Sequence, residues 1–454
     1  MANTADIIGE QETLDKLVAH TLEDFEDDRI TRVRNHAFDF NDELKSINLP
    51  NVTAVGDYAF NDCYNLENAI FSNKITNIGS YCFDSCYKLN NISDFSNVKT
   101  LPNYSFNACC CLNNIDLSNI IQIYSYALQH CGIGTVVLPK CTNLYEYISK
   151  GVRISTIDLY KLVASSINSF RDSYSLSHLI LRSDSLCVLN STSAFINTPI
   201  AEGLGWIYVP TDLVDTYKTA TNWSTYANRI VSIDEYPKAL DGETITDTWD
   251  EIFQAENNDT YKTKYSVGDT KYLVIGGTYV LMQIIAFDRD ILSSDGTSTA
   301  KITWLSKSLS FQLPINLTTS HTGGWAECEC RKILNDIIYE QFPESVKNRI
   351  LPVNKTYSAT SSPSGTTVIS DKLWIPSSRE MVGDDAYENS GIDYTDYFNS
   401  DDRRKKSLGL SSYFNTWALR SIYNSSIRMI GSSGGTNASG SITGFYNLAI
   451  GFCT

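Results

Sequence analysis

The chain has 454 residues, 42% of them hydrophobic and 19% charged, with a formal net charge of −16. That length accommodates two or three domains, each with its own core. The acidic balance argues against a nucleic-acid partner, which calls for a basic stripe, and no run of about 18 apolar residues is present to insert in a membrane.

The first 28 residues are acidic, with Glu23, Asp24, Glu26, Asp27 and Asp28 close together. Ile7, Ile8, Leu14, Leu17, Val18 and Leu22 fall at helical spacing, which predicts a short amphipathic helix over 5–24 in a capping or attachment segment, 1–28. This start lacks the basic residues and apolar stretch of an export signal. Yet 27 tyrosines among abundant Asn, Ser and Thr give the texture of an extracellular, β-rich or recognition protein. Release by host lysis, inside a virus particle, would reconcile the two.

From about residue 29 one phrase recurs at a step of 22 or 23 residues: Phe38/Asn41/Leu44, Phe60/Cys63/Leu66, Phe83/Cys86/Leu89 and Phe106/Cys109/Leu112. A degraded copy follows at Leu128/Cys131, and Ile30/Val33, Val52/Val55 and Ile75/Ile78 precede successive copies. A period of this size predicts a solenoid, because one coil cannot bury its apolar face alone and must stack on the next. The beat continues less regularly through Val136–Leu138, Ile157–Leu159 and Leu179–Leu181.

The phrase Val55-Gly56-Asp57-Tyr58-Ala59-Phe60-Asn61-Asp62-Cys63, followed by Leu66, and its second copy Ile78-Gly79-Ser80-Tyr81-Cys82-Phe83-Asp84-Ser85-Cys86, resemble the BspA-like leucine-rich repeat. The stretch from Trp206 to Trp223 resembles the unit that closes many such arrays, so the resemblance covers about 29–233 and implies adhesion or scaffolding rather than a reaction. A polar stretch at 234–248, with Pro237 and Asp241-Gly242, reads as a linker.

A C-terminal domain, 249–454, follows as a candidate receptor-binding domain. Two β-rich runs around Gly276-Gly277 predict a hairpin, and Ile333, Leu334, Ile337 and Ile338 predict an amphipathic helix. Pro343 can open another helix, Trp374-Ile375-Pro376 reads as a strand, and Ser377 or Ser378 is placed to cap a turn at 379–382. Val267–Thr270, Gly323-Gly324-Trp325, Asp371–Ser377, Trp417–Ser421 and Ala449–Cys453 resemble a family of unknown function common in prophages of gut bacteria. Ala418 departs from that family's usual Trp. The Trp-x-Leu-Arg-Ser phrase is also similar to C-type-lectin-like domains of phage receptor-binding proteins. The expected fold class is therefore α+β and β-rich: a leucine-rich-repeat solenoid followed by a mixed α+β domain, C-type-lectin-like in the second resemblance.

Twelve cysteines and five histidines show no ligand spacing for zinc, and the recurring Cys63, Cys86, Cys109 and Cys131 read as a ladder of reduced, buried thiols. No P-loop, Gly-x-Ser-x-Gly, His-Glu-x-x-His or Cys/His signature is present, so no enzyme, cofactor or metal site is expected. The acidic stretch from Asp384 to Asp402 lacks a calcium-loop pattern and reads as solvated, as does the basic run Arg403–Lys406.

Residues 411–447 are the best candidate for function, because 21 of these 37 positions are Ser, Asn, Gly or Tyr, the alphabet of paratopes. Tyr413, Arg420, Tyr423, Asn424, Arg428, Asn437 and Tyr446 are the candidate receptor contacts, with Phe414 as a further stacking ring. Arg420 reads equally as a buried structural arginine, and Trp417 and Leu419 read as core. The expected function is that of a phage tail or baseplate protein exposed on the virion. Its expected partners are a host cell-surface glycan or protein, other virion proteins, and further copies of itself in a homo-oligomer. A head fibre or capsid decoration protein, a bacterial surface adhesin and a capsule depolymerase are the alternatives.

Overall fold

The computed structural model describes residues 23–151, 153–307, 309, 311–317, 323–358, 366–382, 394, 397–398, 406–407, 414–415, 417–423, 426–430, 438–441 and 445–454. The chain divides into two compact units, Met1–Leu240 and Asp241–Thr454.

The first unit is a solenoid. On one face the short strands Asp24–Glu26, Ser46–Asn48, Asn68–Ile70 and Asn91–Ser93 pair in parallel register. Farther along, Thr135–Leu138, Thr156–Leu159, His178–Leu181, Trp206–Val209 and Ile230–Ser232 form the corresponding ladder. A second parallel ladder runs through Thr100–Leu101, Gln122–Ile123, Asn143–Leu144, Ala164–Ser165 and Val188–Leu189. The helix expected over 5–24 falls almost wholly outside the described residues. At its end the expectation is corrected: Asp24–Glu26 is a strand of the first coil, and Phe25 packs edge-on against Phe38 with ring centroids 5.3 Å apart.

The repeated letters fill fixed places in each coil. Phe38, Phe60, Phe83 and Phe106 form a continuous buried stack, with successive centroids 4.9, 5.2 and 5.4 Å apart. Their backbone N–H groups donate to the next coil, Phe60 to Cys82 O at 2.9 Å and Phe83 to Ser105 O at 3.0 Å. The thiols of Cys63, Cys86 and Cys109 sit 3.0, 3.1 and 3.0 Å from the carbonyl oxygens of Phe38, Phe60 and Phe83, one coil back. In the first coil Asn41 takes the thiol's place, and its side-chain oxygen accepts from the N–H groups of Glu43 and Leu44 instead. Glycine in the phrase is a matter of clearance. A Cβ on Gly79 would lie 2.3 Å from the backbone nitrogen of Asp57, so a methyl group there pushes the coils apart.

The last coil is closed by aromatic side chains that take its open backbone groups. Trp223 Nε1 donates to Cys187 O at 2.7 Å, Tyr226 Oη donates to Thr192 O at 2.7 Å, and Tyr217 Oη accepts from Cys187 N at 2.9 Å. Without such a lid the terminal ladder would present unpaired donors and acceptors to any passing strand.

The second unit is β-rich. Its central antiparallel sheet orders Thr270–Ile275, Thr278–Phe287, Ile302–Ser306 and Gly451–Cys453. Gly276 and Gly277 turn the first hairpin with positive φ of 54° and 80°, as a two-residue primed turn requires. Helix Trp249–Asn257 starts from a capping box between Thr248 and Glu251. Glu329–Lys332 and Ile333–Ile338 form the expected amphipathic helix, burying Ile333, Leu334 and Ile338. Trp374 makes one bridge to Gly451, so the expected strand at 374–376 reduces to that residue. Gly451 lies against the Trp374 ring, where a Cβ would come within 2.6 Å of it. Ser377 is the cap of helix Ser378–Val382, its Oγ accepting from Glu380 N at 3.2 Å.

All twelve cysteines are free and buried. Burial pushes the thiols of Cys63, Cys86 and Cys109 far above their ordinary range, and that of Cys131 up to about 12. Since the thiolate is the reactive form, a thiol reagent is expected to modify none of the twelve in the native protein and all of them in denaturant. Phe83→Ala, which empties the middle of the ring stack, should cost about 3–5 kcal/mol in a denaturant titration of the first unit.

Candidate functional site

Of the residues singled out between 411 and 447, the structure describes only some. Tyr413, Asn424 and Asn437 lie outside the described residues, as do Asp384, Asp385, Glu388, Asp393 and Asp396 of the acidic stretch. Tyr423 ends strand Trp417–Tyr423, and half-buried Arg428 lies on the hairpin partner Ser426–Ile430. Tyr446 belongs to a different pair, Phe445–Leu448 with Phe311–Pro314, and donates its hydroxyl to Ser441 O at 2.7 Å. Trp417 and Leu419 are core residues with no exposure.

Of the two readings of Arg420, the structure shows the buried structural arginine and corrects the receptor contact. It is 3% exposed, and its guanidinium is turned inward. Nη1 donates to Glu380 Oε2 at 2.6 Å and to Ile375 O at 2.7 Å, while Nε and Nη2 both reach Thr356 O at 3.1 Å.

Arg420 is one end of a buried charged cluster that sequence reasoning missed. Lys355 Nζ lies 2.6 Å from Asp290 Oδ1, 3.1 Å from Glu380 Oε1 and 2.8 Å from Tyr394 Oη. Thr303 donates to Asp290 Oδ2 at 2.5 Å, and the Trp374 ring centroid is 3.4 Å from Nζ. Burial alone disfavours charge on Glu380, but Arg420 and then Lys355 outweigh it and hold the carboxyl below its ordinary range. Asp290 is likewise lowered, burial being overcome by Lys355, while Lys355 is raised against its burial by Asp290 and Glu380. Its four charged groups stand at positions 290, 355, 380 and 420, so no local spacing announces them. Among the described residues, no group of three or more His, Cys, Asp or Glu side chains is placed to hold a metal ion.

The surface that does gather repeated chemistry is on the solenoid. His36, Tyr58, Tyr81, Tyr104, Tyr126 and Tyr147 occupy one position in six successive coils, the histidine exposed and the tyrosines half-exposed. Their rings stack face to face at centroid separations of 4.9, 4.7, 4.6, 4.7 and 5.0 Å, with interplanar angles of at most 13°. Each backbone has positive φ, between 54° and 61°. Such a conformation costs a non-glycine residue about 1–2 kcal/mol, and the coil-to-coil hydrogen bonds, such as Tyr81 N to Asn103 O at 3.0 Å, hold it. Stacking covers the ring faces and leaves edges and phenol hydroxyls in a row. Burial, and then the neighbouring tyrosines, raise the phenols of Tyr81, Tyr104 and Tyr126, so these three present neutral hydroxyls as donors and acceptors. Shorter stacks, Tyr64 on Tyr87 at 5.2 Å and Tyr124 on Tyr145 at 4.4 Å, lie on the same solenoid. The signal was in the sequence: the Tyr of the Gly-x-Tyr-x-Phe phrase recurs at the repeat step.

Comparison with known families finds a BspA type leucine rich repeat region in six copies, over residues 31–155 and 118–202. Residues 300–449 match a domain of unknown function, DUF6273. The chain thus carries both. Among solved structures it is similar to a leucine rich cell surface protein of Faecalibacterium prausnitzii A2-165, at 18% identity over 37% of this chain and 50% of that one, TM-score 0.27. It is also similar to a leucine rich repeat protein of T. pallidum, at 19% identity over 32% of this chain and 72% of that one, TM-score 0.27. A leucine-rich repeat protein of Bacteroides ovatus ATCC 8483 matches at 20% identity over 36% and 56%, TM-score 0.26. The chain therefore spans half the length of the Faecalibacterium protein and just over half that of the Bacteroides one. No curated protein matches it.

Arg420→Met leaves Glu380 without its guanidinium and should cost the second unit about 3–5 kcal/mol in denaturant unfolding. The Glu380 carboxyl is lower in the folded state than its ordinary value of 4.5, so its contribution is complete above that pH. It is lost as pH falls through the depressed folded value, and acid titration of wild type should show unit-two stability dropping only below about pH 4.5.

Proposed function

We propose that the chain is an adhesion protein, and that the stacked His36–Tyr147 row is a binding face for an extended polymer, a glycan, on a cell surface. The observation that carries this reading is the regular step of 4.6–5.0 Å between half-exposed rings. Tyr presents apolar edge and polar hydroxyl together, with little side-chain entropy to lose on contact. A rigid row repeats that contact at a step comparable with one sugar of an extended glycan.

The finer reading places the protein on a phage particle, at the tail or baseplate, exposed and facing the bacterial host. Its support is the resemblance of the second unit's motifs to a family common in prophages. On a particle, several copies of a homo-oligomer would turn weak contacts into firm attachment. Other virion proteins would anchor the assembly, and the second unit would add contacts to a host glycan or protein through residues 411–447.

Tyr81→Ser with Tyr104→Ser, made in the full chain, should weaken binding to intact host cells at least about tenfold, roughly 1.4 kcal/mol, with an unchanged circular dichroism spectrum. Undiminished binding by this variant, together with its loss on removal of residues 249–454, would move the receptor contact to the second unit. Mass spectrometry of purified particles from an induced lysogen tests the virion assignment; the protein's absence from them would end it.

A further inference from the structure

The buried cluster of the second unit has the composition and geometry of a self-condensing site. Asp290 follows strand Thr278–Phe287, and Lys355 lies in strand Val353–Ser358. The backbones beside them are already joined: Asn354 N donates to Ile291 O at 2.8 Å, and Leu292 bridges Val353. Between these paired segments Lys355 Nζ is held 2.6 Å from Asp290 Oδ1, with the two side chains 1% and 0% exposed. Glu380 Oε1 stands 3.1 Å from the same nitrogen. The Asp290 carboxyl is gripped by two hydroxyls, Thr303 at 2.5 Å and Tyr394 at 2.7 and 2.8 Å from its two oxygens.

We propose that Lys355 and Asp290 condense into an intramolecular isopeptide bond, with Glu380 as the proton carrier. The lysine nitrogen, having passed a proton to Glu380, attacks Asp290 Cγ. The new N–C bond forms, the Cγ–O bond to one carboxyl oxygen breaks, and that oxygen leaves as water. It carries two of the three protons that began on the ammonium group; the third stays on the amide nitrogen. No oxidant or co-reactant is needed, and net charge is unchanged.

Three features favour the step. Thr303 and Tyr394 direct hydroxyls at the carboxyl oxygens, where charge gathers as the carbon becomes tetrahedral. Proximity is fixed beforehand by the strand pairing, so the ordering cost is met on folding. Condensation also removes one cation and one anion from an interior where each is expensive to keep, and it strands no charge, because Glu380 retains Arg420 at 2.6 Å. The bond would tie together positions 65 residues apart, shortening the free chain of the unfolded state. In an adhesion protein under pull, such a tie would keep the second unit from being drawn open between these strands.

The test is the denatured intact mass of the purified full chain, followed by tryptic mapping. The expected result is a deficit of one water and a branched peptide in which 290–301 is joined through Lys355 to 350–372, uncleaved at Lys355. An intact mass equal to that of the sequence would overturn the proposal and leave the cluster as an ion-pair network. A water deficit with 290–301 recovered as a separate linear peptide would overturn it too, because Asp295-Gly296 in that peptide can lose water by closing on itself. Lys355→Met and Asp290→Ala should each restore the full mass. Asp290→Asn should remain cross-linked with ammonia as the leaving group, and Glu380→Gln should slow cross-linking at least tenfold.

Discussion

Stacking at a step of 22 or 23 residues is the constraint on which the first unit depends. Across the first four coils each phenylalanine lies on the next coil's phenylalanine, and the backbone N–H groups donate into the next coil's carbonyls. Once that is imposed, the other letters have little freedom. The cysteine must be small and able to approach a carbonyl one coil back, the glycine must clear a backbone nitrogen, and the tyrosine must fall directly over its counterpart. The Tyr row is therefore a product of the packing as much as a device. The same positive φ recurs four residues on, at Asp62, Ser85, Ala108 and His130, so the conformation belongs to the turn. What is particular to the row is that the turn carries an aromatic side chain in six successive coils.

The second unit is organised differently. No period runs through it, and segments distant in sequence meet at a few dense points. Trp304, Trp325, Trp374 and Trp417 are all fully buried, and Trp374 covers the lysine of the charged cluster. That cluster ties residue 290 to 355, 380, 394 and 420 with strong, charge-assisted hydrogen bonds. Buried charges of this kind add little to net stability but are costly to unbalance, which makes them markers of one particular arrangement. The two units thus suit different tasks. The solenoid offers a long repetitive surface, and the second unit a dense core of buried aromatics and paired charges.

Much of the solenoid was legible in the sequence because its contacts are between equivalent residues. A letter that recurs at the repeat step must lie over itself in the next coil, so Phe60 over Phe83 and the ladder of Cys63, Cys86 and Cys109 follow from spacing, while the approach of Cys86 to Phe60 O does not. The closing unit around Trp223 was legible through its resemblance to the unit that ends such arrays, and the structure adds its hydrogen bond to Cys187 O. The start was read as a helix from the apolar spacing between Ile7 and Leu22, which lies outside the described residues; those begin at Glu23, and Asp24–Glu26 already belongs to the strand ladder. The preferred binding site was placed by composition, which cannot tell an exposed arginine from one whose polar atoms all face inward. Arg420 lies among Ser, Asn and Tyr in the sequence, but in space it faces Glu380, forty residues away.

The sequence by itself determined the period and the identity of the residues that stack at it. It could do so because each of those is a relation between neighbours at a constant step. Only the tertiary structure decided which tyrosine edges remain at the surface, and only it brought Asp290, Lys355, Glu380 and Arg420 together. Contacts of that second kind depend on how non-repeating segments cross, and the energy that selects them is shared across the whole unit and written in no single stretch of it.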